Sequence, residues 1–364
     1  MQHKIIARLV LALAAISQLL YAQEIVRHPD STQSLNQRWE WAKAQATQTK
    51  FKKGYWIGYS IKRLMEENST IGSMHIENGR IYRSGKSLSE LIYGIEIPLE
   101  SLRSYKEKSH RKVVKDVGLF FLFDPRDGAL AEIKESTFEL SVDFDDFPLF
   151  WLGQASDEQS LDLVERLYRP VASTKIKEEL ISAVGLHGQS TRRRILLAGV
   201  LSGNEATTVR KQAAFWLGQI DDPEALRILR QAAKTDRSTE VRKQTVFALS
   251  QMKSTKAEDV LIELARNQND RQICKEALFW LAQKASKRAV DLLKETVQND
   301  ADTEIQKQAI FALTQLPDGE GIPVLIEIAQ THKNPAVRKD AIFWLGQSED
   351  ARATDALVKL VRGK

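Results

Sequence analysis

The sequence predicts a mainly α-helical protein in which a solenoid of stacked helix pairs follows a small β-containing N-terminal module. Three observations lead to this prediction. A segment of related sequence recurs at a fixed interval through the C-terminal part of the chain, which is typical of solenoids. The residues before it show no repeat and include aromatic, strand-like runs. The composition, 43% hydrophobic and 28% charged, is that of a folded globular protein.

The recurring segment keeps the same length and pattern in every copy. Because successive copies start 32 or 33 residues apart, we predict seven copies in residues 144–364, after an α+β, β-rich module in residues 23–143. The five regular copies start at Val209 (VRKQAAFWLGQ), Val241 (VRKQTVFALSQ), Ile273 (ICKEALFWLAQ), Ile305 (IQKQAIFALTQ) and Val337 (VRKDAIFWLGQ), and the two divergent ones at Phe144 (FDDFPLFWLGQ) and Ile176 (IKEELISAVGL).

Each copy contains two helical patterns. In the first, apolar residues such as Val209, Ala213 and Leu217 recur every fourth position, on one face of a helix. The second follows a polar turn in which Asp222 can cap the helix and Pro223 suits its first position. A helix pair this short cannot bury its own apolar face, so neighbouring copies must stack.

The residues of the first helix carry a family resemblance. Val209-Arg210, Ala213-Ala214 and Leu217-Gly218 resemble the HEAT-like repeats first associated with phycobilisome bilin lyases, in the wider HEAT and armadillo class. The resemblance implies a right-handed α-α superhelix. It implies little about function, because this fold hosts scaffolds, adaptors and a few enzymes. The sequence departs from the family pattern at one small position, which tryptophan occupies in alternate copies.

This position alternates between a large and a small residue along the whole repeat. We interpret the alternation as a packing device, in which a tryptophan leans into the space above the next copy's alanine. Separate tryptophan ligand sites are the alternative. Because large and small residues alternate at this position, the structural unit would be two copies long. The residues in order are Trp151, Ala183, Trp216, Ala248, Trp280, Ala312 and Trp344.

A neighbouring position holds phenylalanine in every regular copy. Helical geometry places Phe215 nearly opposite the core, with Lys211 one turn before it and Gln219 one turn after it. The family resemblance places such positions on the concave face of the superhelix. We predict that they bind a protein or peptide partner. The predicted contact residues are Lys211, Phe215, Gln219, Lys243, Phe247, Gln251, Lys275, Phe279, Gln283, Lys307, Phe311, Gln315, Lys339, Phe343 and Gln347.

Two interpretations of the phenylalanines remain open. Repeated exposed aromatic side chains form an apolar patch, and such patches mark interaction sites. A groove of this kind suits an extended peptide, a protein surface or a sugar-containing polymer, and we favour a protein or peptide. Alternatively, the superhelix curls enough for the rings to pack against one another.

The start of the chain has the pattern of a secretory signal peptide in residues 1–22. Lys4 and Arg8 precede an apolar run from Leu9 to Leu20, and Ala22 offers a cleavage position. The run is shorter than a membrane span requires. We therefore expect a periplasmic or secreted protein with no membrane insertion after cleavage.

Residues 23–143 predict an α+β module. The polar segment from Asp30 to Lys50 has a helical pattern, whereas GYWIGYSIK, from Gly54, is strand-like. The run from Lys112 to Phe123 and the partly alternating run from Leu130 to Phe144 flank a Pro-Asp-Gly turn, which predicts a β-hairpin.

The sequence offers no recognisable catalytic, metal or cofactor motif. Some members of this repeat class, such as deoxyhypusine hydroxylase, bind iron through His-Glu pairs, and this sequence has no such dipeptide. The single cysteine, Cys274, lies in a helical pattern without a neighbouring histidine. A net charge of +5 with interspersed signs does not favour nucleic acid. We therefore predict a non-enzymatic scaffold or adaptor, with no cofactor. The alternative is an enzyme or enzyme subunit whose site lies in the N-terminal module or where that module meets the solenoid.

Overall fold

The computed structural model describes residues 24–362 except 50, 52–53, 73–74, 78–79, 83–84, 99–109 and 268. The predicted signal peptide, residues 1–22, lies outside the described residues. The chain divides into two compact units, one up to Arg193 and one from Arg194. None of the helices in the described residues has the length and hydropathy to cross a membrane.

The first unit contains a five-stranded mixed sheet, because its segments are rich in aromatic and β-branched residues. The strands are β1 (Ile25–Arg27), β2 (Tyr55–Glu66), β3 (His75–Glu77), β4 (Arg80–Tyr82), β5 (Lys112–Phe123), β6 (Leu130–Thr137) and β7 (Leu149–Gln154). The order of strands in the sheet is β1-β7-β2-β5-β6, with β1 and β2 parallel to β7 and with β2, β5 and β6 antiparallel. A separate antiparallel pair is formed by β3 and β4.

The predicted strands and hairpin of this unit are confirmed. The run GYWIGYSIK lies in β2, and β5 and β6 pair across the turn that contains Gly128. The ring of Phe120 fills the space over Gly58 and Gly118, where any Cβ atom would approach the ring to 2.5 Å. These glycines therefore allow the aromatic core of the sheet to pack closely.

The segment predicted as the first repeat is not helical. Its Leu149–Gln154 part is strand β7, in which Phe150 and Trp151 are buried in the sheet. Pro148 explains the difference, because it occupies the position of Ala213, in the middle of the helix of a regular copy. A proline there removes a backbone donor and clashes with the preceding turn. The guanidinium of Arg38 donates hydrogen bonds to the carbonyls of Leu152 and Gln154. The sheet thus extends past residue 143, and the helical pairs begin later.

The helices that follow β7 repeat in pairs. The helices are α1 (Leu35–Thr49), α2 (Leu88–Tyr93), α3 (Asp157–Tyr168), α4 (Thr174–Gly185), α5 (Thr191–Ser202), α6 (Thr207–Gly218), α7 (Pro223–Thr235), α8 (Thr239–Gln251), α9 (Thr255–Ala265), α10 (Arg271–Lys284), α11 (Lys287–Asn299), α12 (Thr303–Thr314), α13 (Ile322–Thr331), α14 (Pro335–Gln347) and α15 (Ala351–Arg362). In the described residues after α3, the helices form six pairs, α4–α5, α6–α7, α8–α9, α10–α11, α12–α13 and α14–α15, and a 3-10 turn (Pro317–Gly319) precedes α13.

Caps and packing follow the sequence pattern. Asp222 caps α7, which has Pro223 at its start, and Ser254 caps α9. In the second unit, the helices α6, α8, α10, α12 and α14 are called the first helices. They pack directly on one another in chain order and approach more closely than the second helices, α7, α9, α11, α13 and α15. Val209 and its equivalents in later copies are buried beneath them.

Candidate binding face on the first helices

The predicted phenylalanines form a row across the first helices. Phe215, Phe247, Phe279 and Phe311 are half-buried, and Phe343 is 55% exposed. The aliphatic residues on the opposite side of the same helices, such as Leu217 and Leu249, are fully buried. The core is therefore closed without the phenylalanines, which form an additional, partly exposed layer. This layer, with the lysines and glutamines beside it, is the first-helix face.

The rings make a continuous row rather than separate sites. Phe215 stacks on Phe247 with centroids 6.4 Å apart, and Phe279 stacks on Phe311 at 6.3 Å. The two stacks are joined by Trp280, whose ring lies 4.8 Å from that of Phe247 and 5.0 Å from that of Phe279. Both interpretations of the phenylalanines are thus met in part, since the rings pack on one another and still expose apolar surface.

Trp344 continues the row and shows the two-copy period. Its ring lies 5.2 Å from that of Phe311 in the preceding copy and 5.2 Å from that of Phe343 in its own. Trp280 and Trp344 therefore contact phenylalanines of the preceding copy, and the fit of each tryptophan above the next copy's alanine stays a prediction. The sequence favours packing for the tryptophans over separate ligand sites, and it does not predict their place in the aromatic row.

The alternating alanines occupy closely packed positions. Ala248 and Ala312 are fully buried. A Cβ atom added to Gly218 would lie 2.9 Å from the Cα atom of Ala248, so α6 and α8 approach very closely there. A second large side chain has no room at this contact, as the alternation predicts.

Carboxylates hold two of the indole rings. The Trp280 Nε1–H donates to Glu276 Oε1 over 2.7 Å, and Trp344 bonds in the same way to Asp340, one turn earlier. Partial burial raises the pKa of Asp340, although Lys307 and the indole bond act in the opposite direction. These two carboxylates fix the orientation of the tryptophans within the aromatic row.

The five lysines of the face alternate in their ion pairing. Lys243 lies 3.6 Å from Glu240 and Lys307 lies 2.9 Å from Glu304, each within one helix. The hydrogen bond that Lys307 donates to Glu304 raises the pKa of Lys307. The lysines of the tryptophan-containing helices, Lys211, Lys275 and Lys339, make no ion pair of this kind within the described residues. Among the described residues, the ammonium groups on every second helix of the row thus lack a carboxylate partner within their own helix.

The glutamines border the aromatic row on its other side. Gln219, Gln251, Gln283, Gln315 and Gln347 are all exposed at the ends of the first helices. Gln251 and Gln315 donate to the hydroxyls of Ser250 and Thr314 beside them. The structure therefore places the predicted lysines, phenylalanines and glutamines on one face. Their role in binding stays a prediction.

Other polar clusters have the character of structural supports. In the first unit, His187 Nε2 lies 2.7 Å from Ser160 Oγ, which lies 2.8 Å from the hydroxyl of Tyr59. All three side chains are fully buried, so this arrangement offers no access to a substrate.

In the second unit, Cys274 is buried and donates from Sγ to the carbonyl of Ala265, and burial raises its pKa to about 11. A thiol in this state is a poor nucleophile.

Comparisons with known proteins agree with the repeat architecture. Residues 194–282 and 290–364 match the family model of HEAT repeats. The C-terminal part of the chain is therefore a HEAT-repeat solenoid, as the sequence predicts. HEAT repeats generally bind proteins. No curated protein matches the chain.

Several solved structures resemble part of the chain. Human deoxyhypusine hydroxylase in complex with glycerol is 21% identical over 54% of this chain and 76% of its own, with a TM-score of 0.24. The complex of CpcE and CpcF of phycocyanin lyase from Nostoc sp. PCC7120 is 17% identical over 56% of this chain and 80% of its own, with a TM-score of 0.33. The Cnd3–Cnd2 condensin subcomplex of S. pombe is 16% identical over 56% of this chain and 37% of its own, with a TM-score of 0.25.

Proposed function

Because this chain carries HEAT repeats in residues 194–282 and 290–364, we propose that it is an exported scaffold or adaptor that binds a protein or peptide along its first-helix face. The observation that carries the proposal is the continuous aromatic row from Phe215 to Phe343. The buried aliphatic core is complete beneath it. A partner would cover the apolar surface that this row leaves exposed to water.

The packing of the helices supports a concave location for this face. The first helices of neighbouring copies approach one another more closely than the second helices do. In a curved stack, the closer layer is the inner one. A concave layer surrounds a ligand on several sides, as the extended inner surfaces of solenoids do.

The chemistry of the face suits an extended peptide segment. The ring edges and indoles offer apolar and stacking contacts, which are the contacts that dominate binding energy at protein interfaces. The exposed amides of Gln219 and its equivalents can both donate to and accept from a peptide backbone. Lys211, Lys275 and Lys339 can pair with acidic side chains of the partner.

Export is the part of the proposal that rests on the sequence of residues 1–22. Positive charge, an apolar run and a small residue at Ala22 stand in the order that a signal peptide requires. Expression of the full chain in a bacterium tests this part. Recovery of a mature protein beginning at Gln23 from the periplasm or medium is expected, and an uncleaved cytoplasmic protein would contradict export.

Binding is tested with the triple variant Phe215→Ser, Phe247→Ser, Phe279→Ser. Proteins captured from an envelope extract by the wild-type chain are identified by mass spectrometry. The dissociation constant of each purified candidate is then measured by calorimetry. We expect the triple variant to weaken binding by about a hundredfold or more, since each buried aromatic anchor contributes about 2 kcal/mol.

The control places equivalent changes on the second helices. Ile228 and Ile262 are half-buried on α7 and α9, away from the aromatic row, and the variant Ile228→Ser, Ile262→Ser should keep wild-type affinity. Equal loss in both variants would exclude the first-helix face as the binding surface. A triple variant that binds normally but melts far lower would show that the rings serve packing alone.

A further inference from the structure

The outer face of the last helix pair departs from the burial pattern of the repeat. Ile342, on α14, is 40% exposed. The residues at the same position of the four preceding copies are all fully buried, because the first helix of the following copy covers them. These residues are Ala214, Val246, Leu278 and Ile310.

The second helix of this pair shows the same departure. Val361, on α15, is 89% exposed, and Val358 beside it is 42% exposed. The residues equivalent to Val361 in the preceding copies are buried. They are Ala233, Ala265, Val297 and Ala329. Ile342, Val358 and Val361 are the exposed apolar residues of the last helix pair outside the aromatic row, and together they are here called the end face.

The end face is continuous with the interfaces between repeats. Inside the stack, the surface that ends at Ile310 and Ala329 is covered by the next helix pair. Ile342 and Val361 of the end face stand at these covered positions and are apolar, whereas Val358 stands where earlier copies carry Arg230, Ile262, Lys294 and Ile326. The end face keeps the chemistry of a stacking surface.

The charged residues beside the end face can pair with the same residues of a second copy. Asp355 and Arg362 are exposed on α15 and flank the apolar stripe that contains Val358. Neither makes an ion pair within the described residues. When two copies of α15 lie antiparallel with their Val358 residues opposed, Asp355 of each copy faces Arg362 of the other. A two-fold axis thus forms two ion pairs between the copies.

We propose that the end face binds the end face of a second copy of this chain, through an antiparallel pair of α15 helices on a two-fold axis. Ile342 and Val361 of each copy are covered in this dimer, as their equivalents are covered within the stack. Because the first-helix face lies on other positions of the helices, the dimer presents two such faces. The inference does not depend on the proposed peptide binding.

The oligomeric state of the full chain tests the proposal. Sedimentation velocity over a range of concentrations is expected to show a monomer–dimer equilibrium. Val361→Glu and Ile342→Glu each place a charge in the interface, and should weaken dimerisation by about a hundredfold or more. Both residues are partly or largely exposed in the single chain, so the variants should keep the melting temperature. Ile195→Glu, at an apolar residue that is 58% exposed on α5, is the matched control and should dimerise normally.

Charge exchange tests the two-fold geometry. Asp355→Arg alone and Arg362→Asp alone each replace two attractions by two repulsions, and should weaken dimerisation about tenfold or more. The double variant D355R/R362D should restore it. An equimolar mixture of the two single variants should form a heterodimer, because each charge then faces an opposite one.

Three outcomes would overturn the proposal. The first is a chain that stays monomeric at about 100 µM, a concentration at which a weak specific dimer is populated. The second is a dimer that persists in both glutamate variants. The third is a double charge variant that behaves as the two single variants do, which would exclude the antiparallel pairing.

Discussion

The rings of Phe215 and Phe247 lie with their planes 8° apart and their centroids 6.4 Å apart, although they belong to helices of different repeats. Stacked rings hold neighbouring first helices in register and leave ring edges in water. The row of which they are part therefore serves packing and exposes apolar surface at once. The contribution of each ring to stability, apart from any role in binding, can be measured by comparing a ring inside the row with the ring at its end.

Replacement of the interior ring Phe247 by alanine should cost about 2 kcal/mol, and replacement of the end ring Phe343 less than about 1 kcal/mol. Phe247 contacts both Phe215 and Trp280, whereas Phe343 contacts Trp344 and is mostly exposed. Free energies of unfolding from urea titrations, followed by circular dichroism, measure the difference. Equal costs at both positions would contradict a gradient of packing along the row.

The alternation of tryptophan and alanine gives a second prediction. Ala248→Trp should destabilise the second unit by about 2–3 kcal/mol, because Ala248 is fully buried against Gly218. The control is Gln251→Trp, which adds the same side chain at an exposed position on the same helix and should change the stability by less than about 0.5 kcal/mol. Thermal unfolding of the wild type and the two variants measures these effects. A well-folded Ala248→Trp variant with the melting temperature of the wild type would exclude the packing device.

Much of this fold follows from local patterns in the sequence. The spacing of Val209, Ala213 and Leu217 predicts the first helix, and Asp222 with Pro223 predicts the start of the second. The outward side of Phe215 follows from the same helical period. These features depend on residues a few positions apart, so the sequence alone is sufficient for them.

The errors arise where distant contacts decide the structure. The FWLGQ segment that ends at Gln154 matches the repeat, but Pro148 and pairing with β1 and β2 make it a strand. The contact between Trp280 and Phe247 of the preceding copy was not predicted, because it depends on the offset between stacked helices, which no single helix encodes. The uncovered positions of Ile342 and Val361 likewise emerge only when their burial is compared with that of earlier copies.

Glu135 should make the first unit less stable as the pH rises. Burial, together with the nearby Glu179 carboxylate, raises the pKa of Glu135 to about 7, while a hydrogen bond from Ser182 opposes the shift. Between pH 4.5 and 7 the unfolded chain loses this proton and the folded chain keeps it. The stabilisation is therefore present below pH 4.5 and is lost as the pH rises through 7.

The variant Glu135→Gln removes this titration. Relative to the wild type, it should gain stability at pH 8, by no more than about 3 kcal/mol, and gain little at pH 4.5. Urea titrations at the two pH values, followed by tryptophan fluorescence, measure the change. A stability difference that does not vary with pH would show that Glu135 ionises as an exposed carboxyl group does.

His187 should act in the opposite sense. Burial lowers its pKa to about 4, although the Asp157 carboxylate and the backbone carbonyls of Ala183 and Val184 favour its protonation. In the neutral ring, Nδ1–H donates to Ala183 and Nε2 accepts from the hydroxyl of Ser160. Between pH 6.5 and 4 the unfolded chain binds a proton at His187, whereas His187 of the folded chain stays neutral. The stabilisation is therefore present above pH 6.5 and is lost as the pH falls through 4, with a ceiling of about 3 kcal/mol.

Nuclear magnetic resonance measures this directly from the ring protons of His187. We expect them to titrate near pH 4. The variant His187→Gln cannot titrate, so its stability deficit against the wild type should shrink as the pH falls from 7.5 to 4.5. A His187 resonance that titrates near pH 6.5 would contradict the sealed, neutral ring on which the buried network with Ser160 and Tyr59 depends.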